Sequence, residues 1–276
     1  MSEPLLTLSS PQVVRIIKRP SMHCKTPYVA DIIIDGKAYL AHCPALGCCG
    51  LSDRGSKVIV TPIEQKKENS KCDYRVELAI AEDREHEEIV GINPKMAETL
   101  MFQLLKTQSC PFLHVKSFGR EKAYLNSRFD FAGVDGNDRK FVMEIKNVPL
   151  ADYVDVPKKE RKQHQTDHIP YQDKIAYFPD GYRKNATDVV SPRALKHVEE
   201  LKIIRTTSEG EMRAILCFMV QRTDAKVFQP SNIDLTYKKA VLDAANHGVE
   251  IYAVQVQWTK EGMCMFHRML PVNLSE

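Results

Sequence analysis

The sequence predicts a two-domain protein of the α+β and α/β classes, in which a small β-barrel is followed by a larger domain with a mixed β-sheet. Three observations support this. Short apolar runs broken by Pro and Gly fill the N-terminal part, a capped helix follows, and strand-like and helix-like runs then alternate. With 276 residues, the chain is long enough for two buried cores. We expect a barrel domain over residues 1–88 and an α/β domain over residues 89–276.

The barrel is predicted from five short strand candidates that are separated by turn-forming residues. They are residues 13–18, 28–34, 37–42, 57–61 and 74–81. Asp35-Gly36 lies between the second and third candidates, and this dipeptide is typical of a two-residue hairpin turn. Five short strands with such breaks are typical of a small barrel of the OB type.

A helix is predicted to open the second domain. Asn93 can cap it, Pro94 suits its first turn, and an apolar stripe runs from Met96 to Leu105. Helices are also predicted near residues 193–205 and 235–247. Strand runs alternate with them near residues 112–116, 124–131, 141–146, 213–220 and 249–257. This alternation indicates an α/β domain with a mixed sheet.

A polar insert interrupts this domain at about residues 151–191. It has few apolar residues and no clear period, so we predict one or two long loops that form a mobile flap. The insert contains a basic run, KKERKQHQ, over residues 158–165. Protein partners, if the chain has them, are expected to bind through this insert.

Composition limits the location and the partners of the chain. The net charge of +3 is too small to indicate a polyanion partner, so a nucleic-acid surface would need local clustering of basic residues. No apolar run approaches the roughly 20 residues of a membrane span, and no secretory signal is recognisable. Eight cysteines in such a chain favour reduced thiols. We expect an intracellular protein, cytoplasmic or nuclear, that does not bind membranes; composition does not fix its oligomeric state.

Residues 127–147, SRFDFAGVDGNDRKFVMEIKN, form the most chemically suggestive segment, two strand-like runs split by a turn-rich stretch. Alternate residues of a strand point to the same side, so Glu144 and Lys146 share a face with Val142. Asp130 reaches the same place if the two runs pair as a hairpin. Two carboxylates can hold Mg²⁺ or Mn²⁺, which could polarise a phosphate, and Lys146 could orient a nucleophile.

The same spacing also fits a second interpretation. An edge hairpin with a solvated, salt-bridged pair of acids would carry the same residues, because Glu-x-Lys is common by chance. Spacing alone leaves both interpretations open.

A resemblance to a known family covers nearly the whole chain outside the insert. The segments SRFDF and EIKNVPL resemble the family signature SRiDF…YvEVKsVTL. Others resemble the family in the same order: VADIIIDGKAYLAHCPALG, FPDG, LKHVEEL, FMVQRTDAKVFQPSNIDLTY, HGVEIYAVQVQW and EGMCMFHRMLPVNL. The chain thus resembles the sugar fermentation stimulation protein A family. The resemblance implies an OB-like domain joined to a PD-(D/E)xK nuclease-like domain, DNA as a partner, and Asp130, Glu144 and Lys146 as the nuclease-type triad.

The chain departs from the family pattern around this triad. The family's HCPNTG-like loop reads HCPALG here, so Ala45 and Leu46 replace a polar Asn-Thr pair. Where the family has Thr-Glu-Arg-Gly, this chain has SPRA at residues 191–194, and the glutamate is missing. We also identify no acid on the helix before the first nuclease strand, where Gln103 and Gln108 are the nearest polar groups.

Basic residues outside the triad are candidates for contact with nucleic acid. The candidates are Arg128, Lys196, His197, Arg222, Lys158 and Lys159. Lys196 and His197 could reach the edge of the site or lie on the surface. Arg222 could clamp a phosphate with both of its terminal nitrogens or pair with Asp224. The two lysines of the insert could contact a phosphate backbone or form a solvated face.

The sequence therefore indicates two candidate functions. The first is a DNA-binding protein with weak sequence preference and a Mg²⁺- or Mn²⁺-dependent phosphodiesterase site; RNA is an alternative nucleic acid. The second is a catalytically retired nuclease-like scaffold that acts as a subunit of a protein or RNA–protein complex.

Overall fold

The computed structural model describes residues 3–46, 48–66, 70–181 and 188–275. Its helices are α1 (Pro94–Lys106), α2 (Pro192–Thr207) and α3 (Leu235–Asn246). Its first eight strands are β1 (Leu6–Thr7), β2 (Gln12–Lys18), β3 (Val29–Ile34), β4 (Lys37–His42), β5 (Lys57–Pro62), β6 (Tyr74–Asp83), β7 (His86–Gly91) and β8 (Val115–Tyr124). The others are β9 (Ser127–Asp135), β10 (Lys140–Val148), β11 (Ala151–Asp152), β12 (Lys174–Phe178), β13 (Met212–Val220), β14 (Ala225–Pro230), β15 (Glu250–Trp258) and β16 (Met263–Leu270).

Strands β2 to β6 close into a five-stranded barrel. Antiparallel pairs join β2 to β3 and β5, β3 to β4, and β5 to β6. A short parallel pairing, Ala41 with Tyr74 and His42 with Arg75, joins β4 to β6 and completes the closure. Buried apolar side chains from alternating strand positions, such as Ile16, fill the interior. The predicted OB-like barrel is confirmed.

The strand β7 extends the barrel sheet by pairing with β6, and the sequence did not predict it. Its first residues are HEE, which hide the alternation expected of a strand. Glu87 lies within ion-pair distance of Lys57 and Lys260, and the buried Glu88 accepts hydrogen bonds from Thr223. Tertiary partners therefore satisfy the charges that made this segment look like a loop.

The second domain is built on a seven-stranded mixed sheet in the order β1-β16-β15-β13-β10-β9-β8. β10, β13 and β15 are parallel neighbours, and the remaining pairs are antiparallel. The predicted mixed sheet is confirmed. β13 lies at its centre and reads MRAILCFMV, a run that is buried along most of its length because both faces of the sheet are covered.

Helices cover the sheet on its two faces. The buried stripe of α1, which includes Leu100 and Leu104, packs against one face together with Ile59 and Leu78 of the barrel. α2 and α3 pack against the other face in a separate core that contains Phe218. The barrel and the sheet are thus joined through α1, and the C-terminal end of β10 lies near this junction.

The insert is not composed of loops alone, and that part of the prediction was wrong. It contains β11, β12 and two 3₁₀ turns, Arg161–Gln163 and Tyr171–Asp173. β12 pairs with β11 and with β14, a strand some fifty residues later, so its neighbours could not be identified locally. Its short run, KIAYF, gave too few residues for a period. The remainder of the insert includes residues 182–187, which lie outside the described residues.

No helix in the described ranges is both long enough and apolar enough to cross a membrane. All eight cysteines lie in those ranges, and no disulfide joins them.

Candidate functional site

Asp130 and Glu144 come together where β9 and β10 separate. The ladder between these strands ends at the pair Met143 and Phe131, one residue short of them. Beyond that point, Asp130 Oδ2 accepts a hydrogen bond from the backbone N–H of Ile145 at 2.7 Å. This hydrogen bond replaces one that the Ile145 amide would form if the two strands stayed paired. It also holds the Asp130 carboxylate beside Glu144.

Lys146 and Glu144 lie on the same face of β10. Lys146 Nζ is 2.7 Å from Glu144 Oε1, and both side chains are largely buried. Val142 and Val148, which lie on the same face of β10, pack into the core beneath α2. The structure therefore brings together the three residues that the resemblance implied as a triad.

His197 lies behind this triad and not at its outer edge. It is 3% exposed, and its Nδ1 forms a short hydrogen bond with Glu144 Oε1. Because a carboxylate only accepts, Nδ1 carries the proton. The ring belongs to the buried stripe of α2 that also contains Val198 and Leu201. His197 also lines a cavity beside the cleft, so its contact with a phosphate stays a prediction.

The two carboxylates have opposite pKa shifts. Burial, and then the charge of Glu144, raises the pKa of Asp130 to about 7. Burial also acts to raise the pKa of Glu144, but the hydrogen bond with His197 and the charge of Lys146 outweigh it, so this pKa lies below its usual value. A carboxyl whose pKa is raised strongly by burial and by a neighbouring carboxylate is a typical mark of a functional site.

Glu98, on α1, is the acid that the sequence analysis missed. It lines the same cleft as Asp130 and Glu144, and its charge contributes to the raised pKa of Asp130. Lys95 Nζ at 3.4 Å and Arg120 Nη2 at 3.5 Å partly neutralise it. Its position one turn after Pro94, on a helix already predicted to precede the first strand of the domain, was the available signal.

These groups line a cleft of about 650 Å³ between the barrel and the sheet. The barrel contributes Tyr28 and the loop that holds Ala45 and Leu46. The second domain contributes the segment after β12, including Pro179, and the start of α2, including Arg193. Both domains therefore form the surroundings of the carboxylates.

A divalent cation fits the residues at the end of this cleft. Glu144 Oε2 is a buried oxygen with no hydrogen-bond partner among the described residues. Carboxylate oxygens are the ligands that Mg²⁺ and Mn²⁺ prefer, and Mg²⁺ keeps several waters when only one or two carboxylates hold it. The described residues contain no group of three or more His, Cys, Asp or Glu side chains arranged to hold a metal. The site thus suits a cation bound through Asp130 and Glu144 better than a closed zinc site.

A basic group lies next to the cleft. Arg128, Arg193 and Lys196 line an adjoining cavity of about 400 Å³, between the turn before β9 and the start of α2. Lys196 Nζ donates to the carbonyl of Asn126 at 2.7 Å, and Arg128 pairs with Glu121 at 3.1 Å. Arg193 lines both cavities, so this group is continuous with the cleft.

The other predicted basic residues do not line either cavity. Arg222 is buried and donates twice to Asp224, at 2.6 and 2.7 Å, and once to the carbonyl of Pro149. The structure thus shows the pair with Asp224 that was the other interpretation of Arg222. Lys158 and Lys159 are exposed on the insert, where Lys159 lies 3.9 Å from Glu160. Their position matches the solvated face that was the other interpretation.

Comparison with known proteins agrees with this architecture. The family model described as the sugar fermentation stimulation protein RE domain matches residues 168–262. A curated sugar fermentation stimulation protein homolog of Maricaulis maris is 31% identical over 257 residues, which cover 90% of this chain and 92% of that protein. The homolog of Teredinibacter turnerae is 30% identical over 256 residues, with the same coverage. The chain belongs to the sugar fermentation stimulation protein family.

A solved member of the family shares the fold. The structure of SfsA from Pyrococcus furiosus, determined in complex with Ca²⁺, superposes with a TM-score of 0.75 at 17% sequence identity. The match covers 99% of this chain and 100% of that one. The barrel and the seven-stranded sheet are therefore arranged as in that member of the family.

Proposed function

We propose that this member of the sugar fermentation stimulation protein family binds DNA and hydrolyses phosphodiester bonds with the aid of a divalent cation, Mg²⁺ or Mn²⁺. The observation that carries the proposal is the meeting of Asp130, Glu144 and Lys146 in a cleft between the two domains. The Ca²⁺ of the Pyrococcus relative supports a divalent cation in this fold. The adjoining basic group supports a nucleic acid, with RNA as the alternative to DNA.

The chain's own residues have separate tasks in this function. Asp130 and Glu144 would hold the cation, which neutralises phosphate charge and acidifies a water molecule when bound. Lys146 remains in the cleft through its ion pair with Glu144 and can donate to the attacking water or to a phosphate oxygen. His197 fixes the orientation of Glu144. Arg193 and Lys196 hold the flanking phosphates.

Cleavage of labelled DNA tests the proposal. Wild-type protein should cut single- or double-stranded DNA with Mg²⁺ or Mn²⁺. Asp130→Asn should lose cleavage, since it removes a cation ligand while it keeps an oxygen for the N–H of Ile145. Lys146→Met should slow cleavage about 10²- to 10³-fold, the effect expected for one lost charge-stabilising donor.

Binding and a matched lysine serve as controls. DNA retention in Ca²⁺ should largely persist in both variants. Lys140→Met, which alters an exposed lysine at the far end of β10, should cleave like the wild type. If the wild type cuts neither DNA nor RNA with any divalent cation, the enzymatic part of the proposal is refuted.

A retired scaffold is the second candidate function, and three departures from the family pattern, at the cleft or in the cavity beside it, favour it. Ala45 and Leu46 replace the polar pair of the family's loop, and both line the cleft. Pro192 is the first residue of α2, where the family pattern has a glutamate. This function predicts stable co-purification with a protein or RNA–protein complex. The mass of a lone chain in gel filtration of fresh lysate would contradict it.

A further inference from the structure

The cleft has a polar end and an apolar wall. Asp130, Glu144 and Lys146 line it together with many apolar side chains. Tyr28 and Leu46 belong to this apolar set, and they are 42% and 53% exposed. Large apolar groups left accessible beside a polar site are expected where a ligand with one apolar part is bound.

The size of the cleft limits what can enter it. Its volume of about 650 Å³ is that of a pocket for one small ligand, for which the usual range is about 300 to 1,000 Å³. Loops from both domains border it, namely residues 44–46 of the barrel and residues 179–181 after β12. One nucleotide with its phosphate suits this space, whereas a paired base would also need room for the opposite strand.

The charged side chains that line the cleft also determine where the phosphate and the base of the ligand lie. Among the described residues, the lining holds four carboxylates, those of Glu98, Asp130, Glu144 and Asp180, and two cations, Lys146 and Arg193. A bare phosphate is repelled by this excess of negative charge unless a divalent cation balances it. Phosphate therefore belongs at the carboxylate end together with the cation, and the base belongs at the apolar wall.

Tyr28 provides the group that can stack on such a base. It lies directly before β3, in the connection from β2, and it lines the cleft from the barrel side. Aromatic side chains bind the faces of unpaired bases with little sequence preference. The barrel thus presents an aromatic ring to the same cleft in which the sheet presents its carboxylates.

We infer that the cleft takes one unpaired nucleotide of a DNA strand, with its base against Tyr28 and Leu46 and its phosphate at Asp130 and Glu144. The preferred substrate is consequently single-stranded DNA or a duplex with unpaired bases, and not an intact duplex. This inference rests on the proposed function and specifies its substrate class.

Binding in Ca²⁺ tests this preference without cleavage. The probes are a short fluorescein-labelled DNA strand, the same strand in a blunt duplex, and that duplex with one unpaired base, all at near-physiological ionic strength to limit backbone binding. The single strand and the duplex with the unpaired base should bind about 10- to 100-fold more tightly than the blunt duplex, which must first unpair and unstack. Omitting Ca²⁺ should abolish the preference.

A pair of tyrosine variants separates the cleft from the rest of the barrel. Tyr28→Ala should weaken binding of the single strand by about 5- to 100-fold, the cost of one lost stacking contact. Tyr39→Ala, which removes a barrel tyrosine outside the cleft that packs against Tyr74, should leave this binding unchanged. Circular dichroism should show that both variants are folded.

The outcomes distinguish the inference from the proposed function. Equal or tighter binding of the blunt duplex, or unchanged binding in Tyr28→Ala, would overturn the inference while the proposed function stands. Failure of the wild type to bind any of the three probes, with or without Ca²⁺, would overturn both.

Discussion

The two oxygens of the Glu144 carboxylate have different surroundings. Oε1 is in contact with Lys146 and His197, whereas Oε2 is buried and has no hydrogen-bond partner among the described residues. A buried polar atom without a partner costs about 1 to 3 kcal/mol unless something binds it. The fold therefore keeps one oxygen anchored and the other available for a ligand, and His197 supplies part of that anchor.

His197 acts on the cation only through Glu144, so its substitution should weaken cation binding indirectly. We expect His197→Ala to lower the affinity for Mn²⁺ about 10- to 100-fold, because partners that orient a ligand typically contribute this much. His197→Asn should recover most of the affinity, since its amide can donate near the position of Nδ1. Titration calorimetry with Mn²⁺ measures both.

His247 offers a matched control for this prediction. It is an exposed histidine at the end of α3, and its Nδ1 lies 2.7 Å from the carbonyl of Asp243. His247→Ala should bind Mn²⁺ like the wild type. If both His197 variants bind Mn²⁺ normally, His197 does not position Glu144.

Local spacing grouped the three residues that the resemblance implied as a triad, but it could not identify all of their neighbours. Asp130, Glu144 and Lys146 lie on two adjacent strands, so the alternation of side chains was enough to bring them together. Glu98 and His197 lie on different helices, and their approach depends on how each helix is rotated against the sheet. That rotation is set by core packing, which a single sequence does not display.

At the scale of elements, the insert is held on the barrel by polar contacts. Arg84, in the turn between β6 and β7, donates to the carbonyls of Ile169 at 2.8 Å and Thr166 at 2.9 Å. The Arg84 guanidinium also lies 4.3 Å from the ring of Tyr153. His86, the first residue of β7, stacks on Tyr171 with 4.2 Å between the ring centroids. These contacts attach residues 153–171 of the insert to the β6–β7 hairpin of the barrel sheet although the segment has few apolar residues.

Loss of Arg84 should loosen this part of the insert. Arg84→Ala removes two hydrogen bonds near the surface, and we expect it to cost the docked segment about 1 kcal/mol. Hydrogen exchange should then become about fivefold faster at the amides of Ile169 and Asp173, which are bonded within the insert. Mass spectrometry of the corresponding peptides measures this change.

A similar arginine elsewhere in the barrel controls for general destabilisation. Arg15 donates to the carbonyl of Gly55 at 2.9 Å and does not contact the insert. Arg15→Ala should leave the exchange of Ile169 and Asp173 unchanged. Equal acceleration in both variants would mean that the whole protein, and not the docked segment, had been weakened.

Two strands that the sequence did not reveal, β7 and β12, depend on contacts with residues that are far away in the chain. β7 begins with three charged or polar residues, and β12 has only five residues, so neither shows a readable period. In the main sheet, β9, β10, β13 and β15 were predicted, whereas β1, β16 and most of β8 were not. Continuous apolar runs such as that of β13 are readable because they depend little on which neighbour they pair with.

At the scale of the whole molecule, a buried group of charges joins three segments that are far apart in sequence. Asp224 is 1% exposed and lies between Arg222 and Lys174, whose Nζ is 2.7 Å from its Oδ2. Lys174 also pairs with Asp83 at the end of β6, which belongs to the barrel sheet. The relative position of the two domains, and hence the width of the cleft, depends in part on this group.

Removal of the Asp224 charge should destabilise the protein strongly and in a pH-dependent way. Asp224→Asn leaves Arg222 and Lys174 buried without their shared anion, which should lower the free energy of unfolding by about 3 to 5 kcal/mol at neutral pH. Burial acts to raise the pKa of Asp224, but Arg222 and Lys174 outweigh it, so the folded-state pKa lies below the usual 3.8. The stability from this charge is therefore fully present above that value, and it is lost as the pH falls through the folded-state pKa, where the wild type is also protonated.

Urea denaturation across this range should show the difference in free energy of unfolding between wild type and Asp224→Asn shrinking only below about pH 4. Asp243→Asn, which removes an exposed partner of Lys202, should change little at any pH, and a gap for Asp224→Asn that stays constant in acid would contradict the assignment.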